Sequence, residues 1–235
     1  MNEFILNLDT QIFLWLNSWY SPFWDVAMKM MSGKAVWGVL YLSLLYAIWR
    51  TFGWKTFVVM ALMSILAVVI ADQVTSSLLR PIFERPRPSN PESPISHLVH
   101  TVNGYRGGRY GFPSCHAANT FAVSTLLSFL FWRWRFTLFI FVWALLNCYS
   151  RIYLGVHYPG DLLAGLVIGT ASGLLCYVLG AFIVKAWKGN LAPRKHDVIV
   201  TSTLEGKKLV YHPVDIAIAS GLISILFIFL TASSL

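Results

Sequence analysis

Twelve residues, Ser150 to Asp161, set a guanidinium, an imidazole and a carboxylate into otherwise apolar sequence. Two further stretches carry groups that complement them: Arg80 to Pro88, and Pro113-Ser114-Cys115-His116. Arginine offers a planar fork of donors suited to phosphate oxygens, and it stays charged in a poorly solvated place. Ser114 stands just ahead of an apolar run. Its hydroxyl and the free N–H groups of Cys115 and His116 would therefore make an anion site at a helix N-terminus. Asp161 follows Pro159-Gly160 at the start of another run, where the helix dipole favours a carboxylate. From there it can hold one nitrogen of His157 and leave the other free to attack or to exchange a proton. These groups suit reaction at a phosphate ester.

The elements that position them must sit in a membrane. The 235 residues are 57% hydrophobic and 12% charged, with a mean hydropathy of +0.63. A soluble domain carries roughly 25% charged residues, so this chain cannot cover itself with a water-exposed surface. Several apolar runs approach bilayer length, which predicts an all-α, polytopic helix bundle. Ten Trp and ten Tyr suit the interfaces. The net charge of +8 comes without a basic run interleaved with aromatics, so nucleic acid is not an expected partner. Cys115, Cys148 and Cys176 show neither CxxC nor Cys/His metal spacing, which argues against disulfides and structural zinc. Met1-Asn2-Glu3-Phe4 lacks the basic start of a cleaved signal peptide.

Residues 3–20 show helical apolar periodicity with Asp9, Gln11 and Asn17 between, the pattern of an amphipathic helix lying in the interface. About six transmembrane helices follow. The first ends at Trp49 and begins between Trp24 and Val36, where Lys29, Ser32, Gly33 and Lys34 interrupt the run. The others are expected near 56–79, 117–132, 136–149, 162–184 and 214–231. Asp72, Gln73, Thr75, Ser76 and Ser77 crowd the end of the second span and should face other helices or an aqueous cavity. Residues 80–116 form a long polar connection whose prolines forbid regular structure over 85–94. Gly165, Gly169 and Gly173, every fourth residue of the fifth span, permit close helix packing. The whole of 1–235 reads as one membrane-embedded domain.

With six spans, the connections 80–116 and 151–161 fall on one face with both termini. The opposite face takes ten cations: Arg50, Lys55, Arg133, Arg135, Lys185, Lys188, Arg194, Lys195, Lys207 and Lys208. The positive-inside rule then puts those turns in the cytoplasm and the polar motifs outside. For a bacterial inner membrane, the site would face the periplasm.

Arg80 with six residues before Arg87-Pro88, then Pro113-Ser114-Cys115-His116, then Ser150-Arg151 with five residues to His157 and three to Asp161, resemble three motifs in order. They are those of the type-2 phosphatidic acid phosphatase superfamily, which includes lipid phosphatases and vanadium haloperoxidases. The resemblance covers about 56–184. It implies a metal-independent, cofactor-free, two-step hydrolysis of a membrane lipid phosphate. His157 would attack phosphorus, Asp161 orient it, and His116 protonate the leaving oxygen and then activate water. Arg80, Arg87, Arg151, Ser114 and the Cys115 backbone would hold the phosphate. Two positions depart from the pattern: Arg80 stands for the usual Lys, and Cys115 for the usual Gly. Undecaprenyl pyrophosphate, phosphatidylglycerol phosphate, phosphatidic acid and lipid A phosphates all present a suitable group. A non-catalytic binder or transporter of phosphorylated lipids would need the arginines but not the His116/His157/Asp161 set. A vanadate-dependent peroxidase shares the pocket, but six spans suit a lipid substrate better. The residues do not indicate an oligomeric state. Other polar residues have plainer readings: Arg85, Arg106 and Arg109 as interfacial anchors, His97, His100, His196 and His212 as solvated loop residues, and Asp72 as the partner of an arginine.

Overall fold

The computed structural model describes residues 3–193, 199–202 and 208–234; His196, Arg194, Lys195 and Lys207 lie outside them. The architecture is all-helical apart from a two-stranded hairpin, β1 (Ile199–Ser202) with β2 (Lys208–Tyr211). Two helices precede the first span. α1 (Glu3–Asn17) keeps Phe4, Ile5, Leu8 and Trp15 exposed while burying Phe13. α2 (Pro22–Met31) is capped by Ser21, which accepts from Trp24 N. The first span is therefore shorter than the apolar run that contains it. The break at 32–34 separates α2 from α3 (Gly38–Phe52), because Ser32 and Gly33 close the helix and Lys34 stays exposed.

α4 (Trp54–Asp72) continues through a π-helical segment (Gln73–Leu79) into the short α5 (Arg80–Phe83). α6 (Cys115–Phe131), α7 (Trp134–Tyr153), α8 (Pro159–Ala186) and α9 (Pro213–Ser233) complete the bundle. Among the described residues, five stretches are long and apolar enough to cross a membrane, those containing α3, α4, α7, α8 and α9. α6 is a sixth apolar helix of 17 residues, at the short end of what can span. Ser150 and Arg151 belong to the last turn of α7, and Asp161 to the first turn of α8. The twelve-residue stretch is thus a helix end, a tight turn and a helix start.

α6 and α8 form the axis of the site. A Cβ on Gly165, Gly169 or Gly173 would stand 2.4, 2.2 or 2.3 Å from the carbonyl oxygens of Ser114, Ala118 and Ala122. The glycine stripe therefore lets the α8 backbone lie directly on α6 and brings the His116 turn beside the Asp161 turn. Gly169→Ala is expected to cost about 1–3 kcal/mol of stability through overpacking. A thermal melt in detergent checks this.

The two ends of the bundle differ chemically. At one end, Lys55 Nζ donates to Trp187 O (3.2 Å), and Arg133 meets His212 Nδ1 (2.9 Å). His212 is thus a capping-turn residue bonded to an arginine, where solvation in a loop was expected. At the other end lie the three motifs. The connection 84–114 folds over them, pinned by Ser89 N to Gly155 O (3.0 Å) and by Asn17 of α1. Asn17 accepts from His100 N (2.8 Å) and donates to Tyr153 O (2.9 Å). His100 also departs from expectation: its Nε2 lies 2.7 Å from Asp25 Oδ1 and its ring stacks on Tyr20.

Candidate active site

Each motif delivers its charged groups to one place through a different local device. Arg80 opens α5 at the end of the π-helical segment, and its Nη2 donates to Pro113 O (3.1 Å). Arg87 sits where Pro86 bridges Tyr110 and its own N–H reaches Arg109 O (3.2 Å). Arg151, on α7, donates to Ser32 Oγ and to Tyr105 Oη (3.3 Å). Ser114 caps α6, with its hydroxyl accepting from Ala117 N and its own N–H donating to Asp161 O (3.0 Å). Cys115 and His116 occupy the first turn of α6 and are half-buried.

His157 and Asp161 are 1% and 0% exposed; Arg87 and Arg151 are 7% and 4%. Asp161 Oδ2 accepts from Tyr158 N (3.0 Å) and lies 3.3 Å from His157 Nδ1. Arg87 Nη1 is 3.0 Å from His157 Nε2. A guanidinium can only donate, so Nε2 must be the acceptor and Nδ1 must carry the proton facing Asp161. The tautomer is fixed, and the Nε2 lone pair points at an arginine.

The electrostatics single out the same spot. Arg80, Arg87 and Arg151 each have a buried Nε with no partner, and none forms an ion pair among the described residues. Burial first, then the charges of Arg80 and Arg151, push the Arg87 guanidinium down to about 10. Burying Arg87 and Arg151 beside a half-buried Arg80 without a counter-charge is costly, and a bound anion would relieve it. Burial, then Arg87, Arg151 and Arg80, also push the His157 imidazole well below its usual value. An unfolded His157 takes up a proton near pH 6.5, whereas the folded one does not. Stability from this residue is therefore complete above about pH 6.5 and lost as pH falls below it. Between pH 7 and 5, wild-type melting temperature should drop further than that of His157→Gln.

Arg85 is the residue whose part was not foreseen. It donates to Asp161 Oδ1 (2.9 Å) and Asp9 Oδ2 (2.8 Å) and lies 3.8 Å above the Tyr158 ring. Asp9 Oδ1 in turn accepts from Gly160 N (2.7 Å). Along an extended Arg-Pro-Arg-Pro strand residues i and i+2 share a face, a signal that would have aimed Arg85 and Arg87 at one site together. They straddle the His157–Asp161 pair, Arg87 at the ring and Arg85 at the carboxylate. Ser32, Tyr105 and the charge of Lys34, which acts on His116, are further neighbours that spacing alone did not reveal. Arg109, by contrast, makes an exposed pair with Glu92 (3.2 Å), where solvent screens the attraction.

The profile of the PAP2 superfamily matches residues 57–184, more than half of the chain. The chain belongs to the PAP2 superfamily. Among curated proteins, it is 48% identical over 179 residues to lipid A 4'-phosphatase of Bacteroides thetaiotaomicron, covering 76% of this chain and 80% of that protein. It is 33% identical over 191 residues to lipid A 4'-phosphatase of Porphyromonas gingivalis, covering 81% and 80%. Among solved structures, Aquifex aeolicus LpxE superposes with a TM-score of 0.55 at 25% identity, over 72% of this chain and 94% of that one. A Bacillus subtilis PAP2-type phosphatidylglycerolphosphate phosphatase shares the fold, with a TM-score of 0.56 at 21% identity over 77% and 89%. As a PAP2 protein, the chain is a multi-pass membrane lipid-phosphate hydrolase. Its matched region leaves out α1 and α9, yet Asp9 of α1 reaches the first turn of α8.

Proposed function

We propose that this protein removes the 4'-phosphate of lipid A through a phosphohistidine on His157, at the periplasmic face of the inner membrane. The observation that carries the chemistry is the acceptor nitrogen of His157, met by Arg87 Nη1 and lying in the field of Arg80 and Arg151, three arginines whose buried Nε donors have no partner. The similarity to two lipid A 4'-phosphatases over most of both chains supports the substrate. The gathering of basic turns at the opposite end of the bundle supports the orientation, and the single domain is read as 1–235.

In this reading, the incoming phosphate draws Arg87 Nη1 off His157 Nε2 and frees the lone pair. Nε2 then forms a bond to phosphorus as the phosphorus–oxygen bond to the sugar breaks, and His116 gives its proton to that oxygen. Asp161 stabilises the charge that develops on the ring, and Arg85 holds Asp161. In the second step His116 takes a proton from water, the water oxygen bonds to phosphorus, and the phosphorus–nitrogen bond breaks to release inorganic phosphate. Arg80, Arg87, Arg151 and the first-turn N–H groups of α6 stabilise the equatorial oxygens throughout. A passive binder would need the cations but not a ring nitrogen held as an acceptor among them.

A panel assay tests the substrate. Purified protein in detergent should release phosphate from bis-phosphorylated lipid A with a kcat/KM at least tenfold above that for undecaprenyl pyrophosphate, phosphatidylglycerol phosphate and phosphatidic acid. Equal or greater activity on any of these would move the assignment to that lipid.

A further inference from the structure

One polar strip continues from the phosphate site toward the membrane interior, and the chemistry above does not use it. Asp72, Ser76 and Arg80 follow one another at four-residue spacing through the π-helical segment. Facing them on α6, Asn119 lies three residues past His116, about 4.5 Å further along the helix. Asn119 Nδ2 is 3.4 Å from Asp72 Oδ1, so the two strips meet one turn beyond the catalytic groups.

Asp72 does not pair with any arginine among the described residues, contrary to what its charge suggested. Its carboxylate has two long contacts, Asn119 at 3.4 Å and Ser76 Oγ at 3.3 Å. The better bond of that hydroxyl goes to the Asp72 backbone carbonyl, at 2.6 Å. A carboxylate has about four lone-pair sites, so most stay unfilled. A carboxylate only accepts, so the Asn119 amide must turn its nitrogen toward Asp72 and its oxygen away. That oxygen, Asn119 Oδ1, is buried and has no partner. Both side chains are half-buried. Ionisable groups at such a depth are costly unless something engages them.

We propose that Asp72 and Asn119 form a subsite for hydrogen-bond donors on the lipid, next to its phosphate and on the membrane side of it. The assignment rests on the phosphatase reading above and deepens it. The unfilled positions, the Asp72 lone pairs and Asn119 Oδ1, are acceptors, so the subsite takes an amide N–H or a hydroxyl. A sphingoid base carries such groups beside its phosphate, and an acylated amino sugar carries them on the ring that bears it. A glycerol diester offers only carbonyl oxygens there, and a polyprenyl chain offers no polar group. Asp72 and Asn119 thereby act as specificity-determining residues, selecting amide- and hydroxyl-bearing lipid phosphates.

Ceramide 1-phosphate and phosphatidic acid of matched chain length separate donor-bearing from acceptor-only lipids without a sugar. The full-length protein is assayed on both in mixed micelles, as wild type, Asn119→Leu, Asp72→Leu and the near-isosteric Asp72→Asn, with a thermal melt for each. Loss of one or two hydrogen bonds should lower kcat/KM for ceramide 1-phosphate roughly 5- to 20-fold in the Leu variants. Activity on phosphatidic acid should stay within about threefold of wild type, and Asp72→Asn should fall between. If either Leu variant fails to fold, Asp72→Asn and the remaining Leu variant carry the comparison. An unchanged preference between the two lipids, or an equal fall on both, would overturn the subsite and leave the phosphatase reading standing. A wild type that releases no phosphate from any lipid would overturn both.

Discussion

Replacing His157 with Gln is expected to abolish steady-state phosphate release, with a fall in kcat of about 10^4- to 10^6-fold. Gln keeps a side-chain amide near Arg87 but offers no nucleophilic nitrogen. Binding should survive, because Arg80, Arg87 and Arg151 remain, each with a buried Nε that has no partner. The variant should therefore bind lipid phosphate while turning over almost none. Equilibrium binding of a labelled substrate, measured beside phosphate release, separates the two effects. Comparable release by variant and wild type would remove the nucleophile from this account.

His116→Asn should lower kcat on a lipid phosphate by about 10^2- to 10^4-fold, the range for losing a general acid–base. The residue stands in the first turn of α6, half-buried, with Lys34 and Arg151 acting on it. Its two duties separate when the leaving group changes. An aryl phosphate such as p-nitrophenyl phosphate leaves without protonation, so the variant should still complete the first step. The second step still needs a base for water. A burst of nitrophenolate followed by slow turnover is the expected trace, with phosphate held on the protein. Equal slowing of burst and steady state would mean that His116 acts before the phosphorus–nitrogen bond forms, in binding or positioning.

The site was more legible in the sequence than the scaffold around it, for physical reasons. Arg80, Arg87, His116, Arg151, His157 and Asp161 stand at fixed intervals, and charged groups are conspicuous in apolar sequence. Helix starts announced Ser114 and Asp161, since a cap and a dipole-favoured carboxylate are local effects. The break between α2 and α3 was half-visible: Ser32-Gly33-Lys34 marked it, but the apolar run on either side allowed one continuous span. Contacts between distant residues left no local mark. Asp9 and Arg85 are separated by 76 positions, yet they form one charge chain with Asp161. Each had a sufficient plainer role, on an amphipathic face or at the membrane edge, and nothing nearby contradicted it. Asp72 misled for the opposite reason. A buried carboxylate near arginines suggests an ion pair, but α6 puts Asn119 against it first.

Arg85 also changes how the Asp161–His157 pair is understood. Asp161 is held by Tyr158 N, Arg85 and the His157 ring together, so its position does not depend on the histidine alone. Among the described residues Arg80, Arg87 and Arg151 pair with no carboxylate, whereas Arg85 has two within 2.9 Å. In the proposed reaction the four arginines thus divide into one that orients Asp161 and three that take the anion.

Rapid-quench labelling of wild-type protein with a phosphate-labelled lipid reports on the nucleophile itself. A transient, acid-labile and base-stable phosphoamide is expected, mapping by mass spectrometry to His157. Label on another residue, or single-turnover hydrolysis that never shows bound label, would contradict it.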